Sequence, residues 1–198
     1  MYNNPNLNIL LMSPGRTGSL LILSFLSSVA KITPIVRYDR DNLEPLKPKE
    51  ILHSHTPEDV KLSNKDTLFI LSTRNLIDST FSRIIGRKTN RWRYYRSEGS
   101  IQPFHVSIDD YLNAYKFSLD YYNTLQYYLP KKYIRVDYSQ FSDNAENLLD
   151  ILNIPKISYK FASKNLIPTK TPGTYRDWII NYDEVNAFAQ TLKQNPPI

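Results

Sequence analysis

Cysteine is absent from the 198 residues, which excludes disulfides, thiolate metal sites and a cysteine nucleophile. Glycine is sparse, at five, so two of them only three apart in Pro14-Gly15-Arg16-Thr17-Gly18-Ser19 stand out. Histidine is rarer still, at three, and His53 and His55 lie one residue apart. No apolar run reaches the ~20 residues that a spanning helix needs. The opening stretch, Met1 to Asn6, lacks the basic region of a signal peptide. The expectation is a soluble, cytoplasmic protein without membrane association. Acidic residues number 19 against 25 basic ones, leaving +6 and a pI near 9.3. That balance suits an anionic partner: a nucleotide, a nucleic acid, a sulfated or phosphorylated substrate, or a membrane surface. A hydrophobic share of 41% is that of a folded chain, and the length suits one domain over residues 1–198.

An apolar run of strand length, Ile9 to Met12, leads into the glycine-containing turn at 13–19, and Leu20 to Val29 has the length of three helical turns. Further strands are expected over Thr33 to Arg37, Glu50 to His53, Thr67 to Ser72 and Tyr133 to Asp137. Residues 38–49 read as a charged loop. Helices are expected from Leu76 to Ile85, stopped by Gly86; from a Ser107/Asp110 cap to about Leu129; after an Asp143/Glu146 cap; and from about Asp183 to Leu192. Strands alternating with helices argue for an α/β fold with a mainly parallel central sheet flanked by helices.

Strand, glycine turn and helix together form a phosphate cradle, because the turn and first helical N–H groups have no intrahelical partner. Arg16 adds charge and Thr17 and Ser19 add hydroxyls; the bland alternative is a plain strand-to-helix connection. The segment is not a Walker A motif, since no Gly-Lys-Ser/Thr closes it. A second anion site is suggested where Arg74 closes the buried strand, with Ser82 eight residues on and the N-terminus of the intervening helix adding donors. In an open parallel sheet both sites would share the carboxyl edge of the strands. Two such sites fit a ligand with phosphates at both ends; the alternative for Arg74 is a surface salt bridge to Asp78. His53 and His55 end a strand at the same edge, where a neutral imidazole is a suitable base for a hydroxyl. No third ligand stands out for a metal, and no role is assigned to His105. Between 83 and 96 stand Arg83, Arg87, Lys88, Arg91, Arg93 and Arg96 without an acid, interleaved with Trp92, Tyr94 and Tyr95. They read either as a solvated helix end and loop or as a lid over an anionic ligand.

Four blocks in order resemble the sulfotransferases that use 3′-phosphoadenosine 5′-phosphosulfate (PAPS). Pro14 to Ser19 is similar to their 5′-phosphosulfate loop. Arg74-Asn75-Leu76-Ile77-Asp78-Ser79-Thr80-Phe81-Ser82 is similar to their 3′-phosphate block, with Arg and Ser at the same spacing. His53-Ser54-His55-Thr56-Pro57 resembles Lys-Thr-His-Leu-Pro, whose histidine is the base, and Tyr138-Ser139-Gln140-Phe141-Ser142-Asp143 resembles a block whose tyrosine lies near the adenine.

The resemblance implies a P-loop-like sulfotransferase fold and PAPS as co-substrate, with 3′-phosphoadenosine 5′-phosphate (PAP) as product and no metal. It implies catalytic roles for His55, Arg16 and, in place of the usual lysine, His53. Nucleotide contacts are implied at Pro14, Gly15, Arg16, Thr17, Gly18, Ser19, Leu20, Arg74, Ser82, Tyr138 and Gly173, with either Lys170 or Arg176 supplying the C-terminal charge to the 3′-phosphate. The acceptor is expected to be a small molecule or glycan carrying a hydroxyl or amine, itself compatible with negative charge; nucleic acid is not the expected partner. The chain departs from the family at His53, at Leu21 where a tryptophan faces the adenine, and at Thr171 to Trp178, where an Arg-Lys pair is lost. The rival readings are a P-loop nucleotide or small-molecule kinase, which needs ATP and magnesium, and a non-catalytic binder of nucleic acid or anionic glycan through 83–96.

Overall fold

Strand β1, Asn8–Met12, is buried at every position because it occupies the middle of the sheet. The computed structural model describes residues 7–30, 33–36, 44–90, 102–152 and 174–198. After β1 come helix α1 (Ser19–Ala30), β2 (Thr33–Val36), β3 (Glu50–Ser54) and β4 (Thr67–Thr73). Helices α2 (Leu76–Thr89) and α3 (Ile108–Leu125) follow, then β5 (Ile134–Asp137), α4 (Phe141–Leu152) and a last helix, α5 (Tyr182–Ala189). Four parallel strands form the body of the sheet in the order β3-β1-β4-β5, and short β2 extends it beside β3. The expected α/β architecture with a parallel sheet is present.

Period-two alternation divides the core between the two faces of the sheet. Ile9, Leu11, Ile51, Ile70 and Val136 pack with α1 and α4. Leu10, Met12, Leu52, Phe69 and Leu71 pack with α2, α3 and α5. The chain leaves β1 for β2 through α1, and leaves β4 for β5, in the opposite direction, through α2 and α3. Right-handed crossovers that run in opposite directions cover opposite faces, and the two core clusters obey this. The divergence places a switch point between β1 and β4, and there the carboxyl ends of the strands open a crevice.

Several boundaries differ from expectation. Helix α2 runs through buried Gly86 and ends instead at Asn90, whose φ of 54° and ψ of 24° are left-handed; asparagine tolerates that conformation and stops a helix. Ser107 caps α3 as expected, its hydroxyl accepting from the Asp110 N–H at 3.0 Å, but the helix gives way to a tighter turn after Leu125. Helix α4 begins at Phe141, so position 143 lies inside its first turn and is not a cap. The cap role falls to Asp137, which accepts from the Ser139 N–H at 2.9 Å and starts the short 3₁₀ turn Tyr138–Gln140. Among the described residues, no helix is long and apolar enough to cross a membrane.

The N-terminus of α2 is closed. Asn75 Oδ1 accepts from the N–H groups of Ile77 (2.9 Å) and Asp78 (3.3 Å), and the Leu76 N–H donates to the Gln194 carbonyl at 2.7 Å. The donors expected there for an anion are therefore spent within the protein. Asn75→Ala should cost about 1 kcal/mol of stability, read by urea denaturation; an unchanged midpoint would show that the cap contributes nothing.

Candidate active site

Strand register decides which loops meet. Met12 pairs with Ser54 on one side and with Leu71 on the other. Ser13 therefore emerges beside His55, and its N–H donates to the Ser54 carbonyl at 3.1 Å. The 13–18 segment then takes three left-handed residues, Gly15 (φ 83°), Arg16 (φ 61°) and Gly18 (φ 78°). These turn its carbonyls into the protein. His55 Nδ1 lies 2.8 Å from the Ser13 oxygen, Arg83 donates to that of Pro14, and Arg74 donates to that of Arg16 at 3.4 Å. Ser72 donates to that of Thr17 at 2.8 Å, and the Leu21 and Ile22 N–H groups reach that of Gly18. With the repulsive oxygens occupied, such a loop can present N–H groups to an anion. The Thr17 hydroxyl is fully buried without a hydrogen-bond partner among the described residues, an orphan of the kind a bound group would satisfy.

The structure brings together residues of the two segments that the sequence suggests as anion sites. Arg16 Nε donates to Ser82 Oγ at 2.9 Å, so the loop arginine reaches the 74–82 segment. Arg74 does not form the salt bridge to Asp78. Its Nη2 donates to the Tyr175 hydroxyl at 3.1 Å, and that hydroxyl donates to the Asp78 backbone carbonyl at 3.0 Å. Tyr175 also stacks on Phe81, with centroids 5.3 Å apart. Burial raises its pKa to about 12, opposed by the nearby Arg74 charge. The Arg74 guanidinium lies 5.0 Å from the centre of the Tyr138 ring, which forms one wall of the crevice. That ring also fills the space where any side chain on Gly18 would stand.

The histidines meet at Ser13. Their rings are 4.5 Å apart and nearly perpendicular. Ser13 Oγ lies 3.4 Å from His53 Nε2 and 3.2 Å from His55 Nδ1. His53 is still within β3 and buried, whereas His55 is half-buried just past its end. A carbonyl can only accept, so the contact to the Ser13 oxygen places the His55 proton on Nδ1. Nε2 of the neutral ring is then the atom with a free lone pair. The pKa of His55 is lowered from 6.5, first by burial and then by the Arg83 charge, against the raising effect of the Ser13 hydrogen bond. Both effects keep the ring neutral and able to accept a proton. Among the described residues, no three His, Asp or Glu side chains gather as a metal site.

Pro14 and Ser19 are buried in the cradle, and Leu20 packs towards the α1–α4 face of the core. Lys170 and Gly173 lie outside the described residues, as do positions 91–96 of the basic run. The crevice contains two residues, Tyr175 and Arg83, whose positions there the sequence does not anticipate. Tyr175 lies in the 171–178 block that departs from the family pattern, and Arg83 belongs to the 83–96 run that reads as a solvated helix end and loop or as a lid, not as a group beneath the 13–18 loop. The one available signal for Arg83 was its place in Phe81-Ser82-Arg83-Ile84-Ile85, a charge inside an apolar run.

The fold and site define an α/β protein with an arginine- and histidine-bearing crevice at the carboxyl edge of a parallel sheet. The chain matches no family model, and no curated protein matches it in sequence.

Proposed function

We propose that this chain is a PAPS-dependent sulfotransferase, with the sulfotransferase version of the P-loop-like fold, acting on a hydroxyl or amine acceptor. The observation that carries the reading is the convergence, at one sheet edge, of Arg16, Ser82 and Arg74 with a histidine whose Nε2 is left as acceptor. The orphaned Thr17 hydroxyl and the inward-turned carbonyls of 13–18 support an anionic ligand at the same place.

When bound, PAPS supplies an activated sulfuryl group whose departure leaves negative charge on the 5′-phosphate. The cradle N–H groups and Thr17 and Ser19 would hold that phosphate. Arg74 and Ser82 would take the 3′-phosphate, with Arg16 spanning the two. Tyr138 forms a wall for the nucleoside. His55 Nε2 accepts the proton of the acceptor O–H or N–H as the nucleophile attacks. Preorganised donors and charges of this kind are the largest contribution to most such transfers.

Calorimetry tests the reading. PAP should bind without magnesium, and ATP with magnesium should bind weakly or not at all; the reverse preference would replace the sulfotransferase by the kinase. Arg74→Ala should weaken PAP by ~10–100-fold, the worth of a charge-assisted hydrogen bond. Adenosine 5′-phosphate should lose much less, since it has no 3′-phosphate for Arg74 to hold. Equal losses for the two ligands would remove Arg74 from the 3′-phosphate. Steeply salt-dependent polyanion binding without PAP affinity would favour the non-catalytic binder.

A further inference from the structure

Arg83 is 6% exposed, and among the described residues no carboxylate pairs with it. A buried guanidinium without a counter-charge is costly. Among the described residues, two contacts offset that cost: a hydrogen bond from Nη2 to the Pro14 carbonyl, and the Phe117 ring 4.1 Å from Cζ. Its Nε is buried with no partner among the described residues. The surroundings add to the cost, since Arg87 and Arg16 are both cations close enough to oppose its charge. Burial, followed by these two, lowers the Arg83 pKa to about 10, which still leaves it charged at neutral pH. A helix would be more stable with an apolar residue here, so this charge needs a purpose other than packing.

Its position supplies one. The Pro14 carbonyl that Arg83 holds is one residue from the Ser13 carbonyl that holds His55. A side chain placed on Gly15 would lie 3.4 Å from Arg83 Nη2 and 3.8 Å from His55 Cε1. We propose that Arg83 is the positioning residue of this site: it clamps the loop at Pro14 so that Ser13 fixes the His55 tautomer, and its nearby positive charge disfavours protonation of the ring. The proposal rests on reading His55 as the base. It gives the chain a built-in means of presenting neutral imidazole below the usual histidine range.

Other groups around His55 do not supply this effect. The His53 ring packs edge-on against it. The Asp59 carboxylate, on the 3₁₀ turn after β3, is engaged by the Ser54 hydroxyl. Tyr121 of α3, adjacent to the Ser13 backbone, is held neutral by burial. Arg16 extends to Ser82.

The test is an NMR titration of the histidine rings, which three histidines make tractable and which needs neither PAPS nor turnover. In the wild type the His55 midpoint should lie below 6.5. In Arg83→Gln it should move up by ~0.5–1 pH unit, the effect of one nearby charge in a partly solvated site. Arg83→Lys should keep it near the wild-type value. The acid limb of the sulfuryl-transfer rate should move with it. An Arg83→Gln midpoint equal to the wild type in a folded protein overturns the proposal, as does a wild-type midpoint at or above 6.5. Should Arg83→Gln not fold, Arg83→Lys decides: a low midpoint supports the role of charge, and one at 6.5 or above overturns it. Failure of PAP to bind while the midpoints shift as described would overturn the sulfotransferase reading alone and support the action of Arg83 on His55.

Discussion

Replacing His55 by asparagine or alanine is expected to lower sulfuryl transfer by ~10²–10⁴-fold, the usual contribution of a positioned base, while PAP affinity changes only a few-fold. The separation is expected because His55 lies against Ser13 at the β3 side of the crevice, whereas Arg74 and Tyr138 line its other side. Asparagine is the more informative substitution, since its amide can still donate to the Ser13 carbonyl and so preserve the loop. Alanine removes both donor and base. An asparagine variant with full turnover would end the assignment of His55 as base.

The pH dependence has a definite sign. With His55 in the proposed role of base, the rate should rise with pH through its folded-state pKa, at a value below 6.5. Stability is linked to the same group. Because the folded pKa is lowered, the unfolded chain binds the proton more readily; the His55 contribution is complete above about 6.5 and is lost as pH falls towards the folded value. A pH–rate profile and a pH series of urea melts would check the two limbs separately.

Gly18→Ala is expected to destabilise the protein by ~2–4 kcal/mol, combining backbone strain at positive φ with overpacking. Gly18 has φ 78°, and a Cβ there would stand 1.9 Å from Tyr138 Cδ2 and 2.5 Å from Cε2. The ring would have to shift, and with it the surface beside Arg74. PAP binding should therefore fall together with stability. The two causes can be separated with Tyr138→Ala, which relieves the clash and leaves the backbone strain. The double variant should recover the overpacking share, so the cycle should be strongly non-additive. Additive urea midpoints would show that the ring does not constrain Gly18.

Much of the architecture was legible in order along the chain. Continuous apolar runs at Ile9 to Met12 and Thr67 to Ser72 became the central strands, because a strand buried on both faces needs no polar alternation. The Ser107 cap and the glycine turn were readable because both are local chemistry. Gly86 misled because a glycine in a buried helix resembles a stop until its packing is known. Position 143 misled because Asp137, six residues earlier, already starts the 3₁₀ turn that leads into α4.

The sequence by itself determined the components: a glycine-containing loop with an arginine, an arginine and serine eight apart, and a paired histidine at a strand end. Tertiary structure decided how they combine. Parallel register set Ser13 beside His55, and the β1/β4 switch point brought Arg16 to Ser82. Long-range folding also carried Tyr175 to Arg74 and buried Arg83 under Pro14. The reason is physical: turns and caps are settled by neighbours within a few residues, whereas the partner of a buried charge depends on which distant segments share its surroundings.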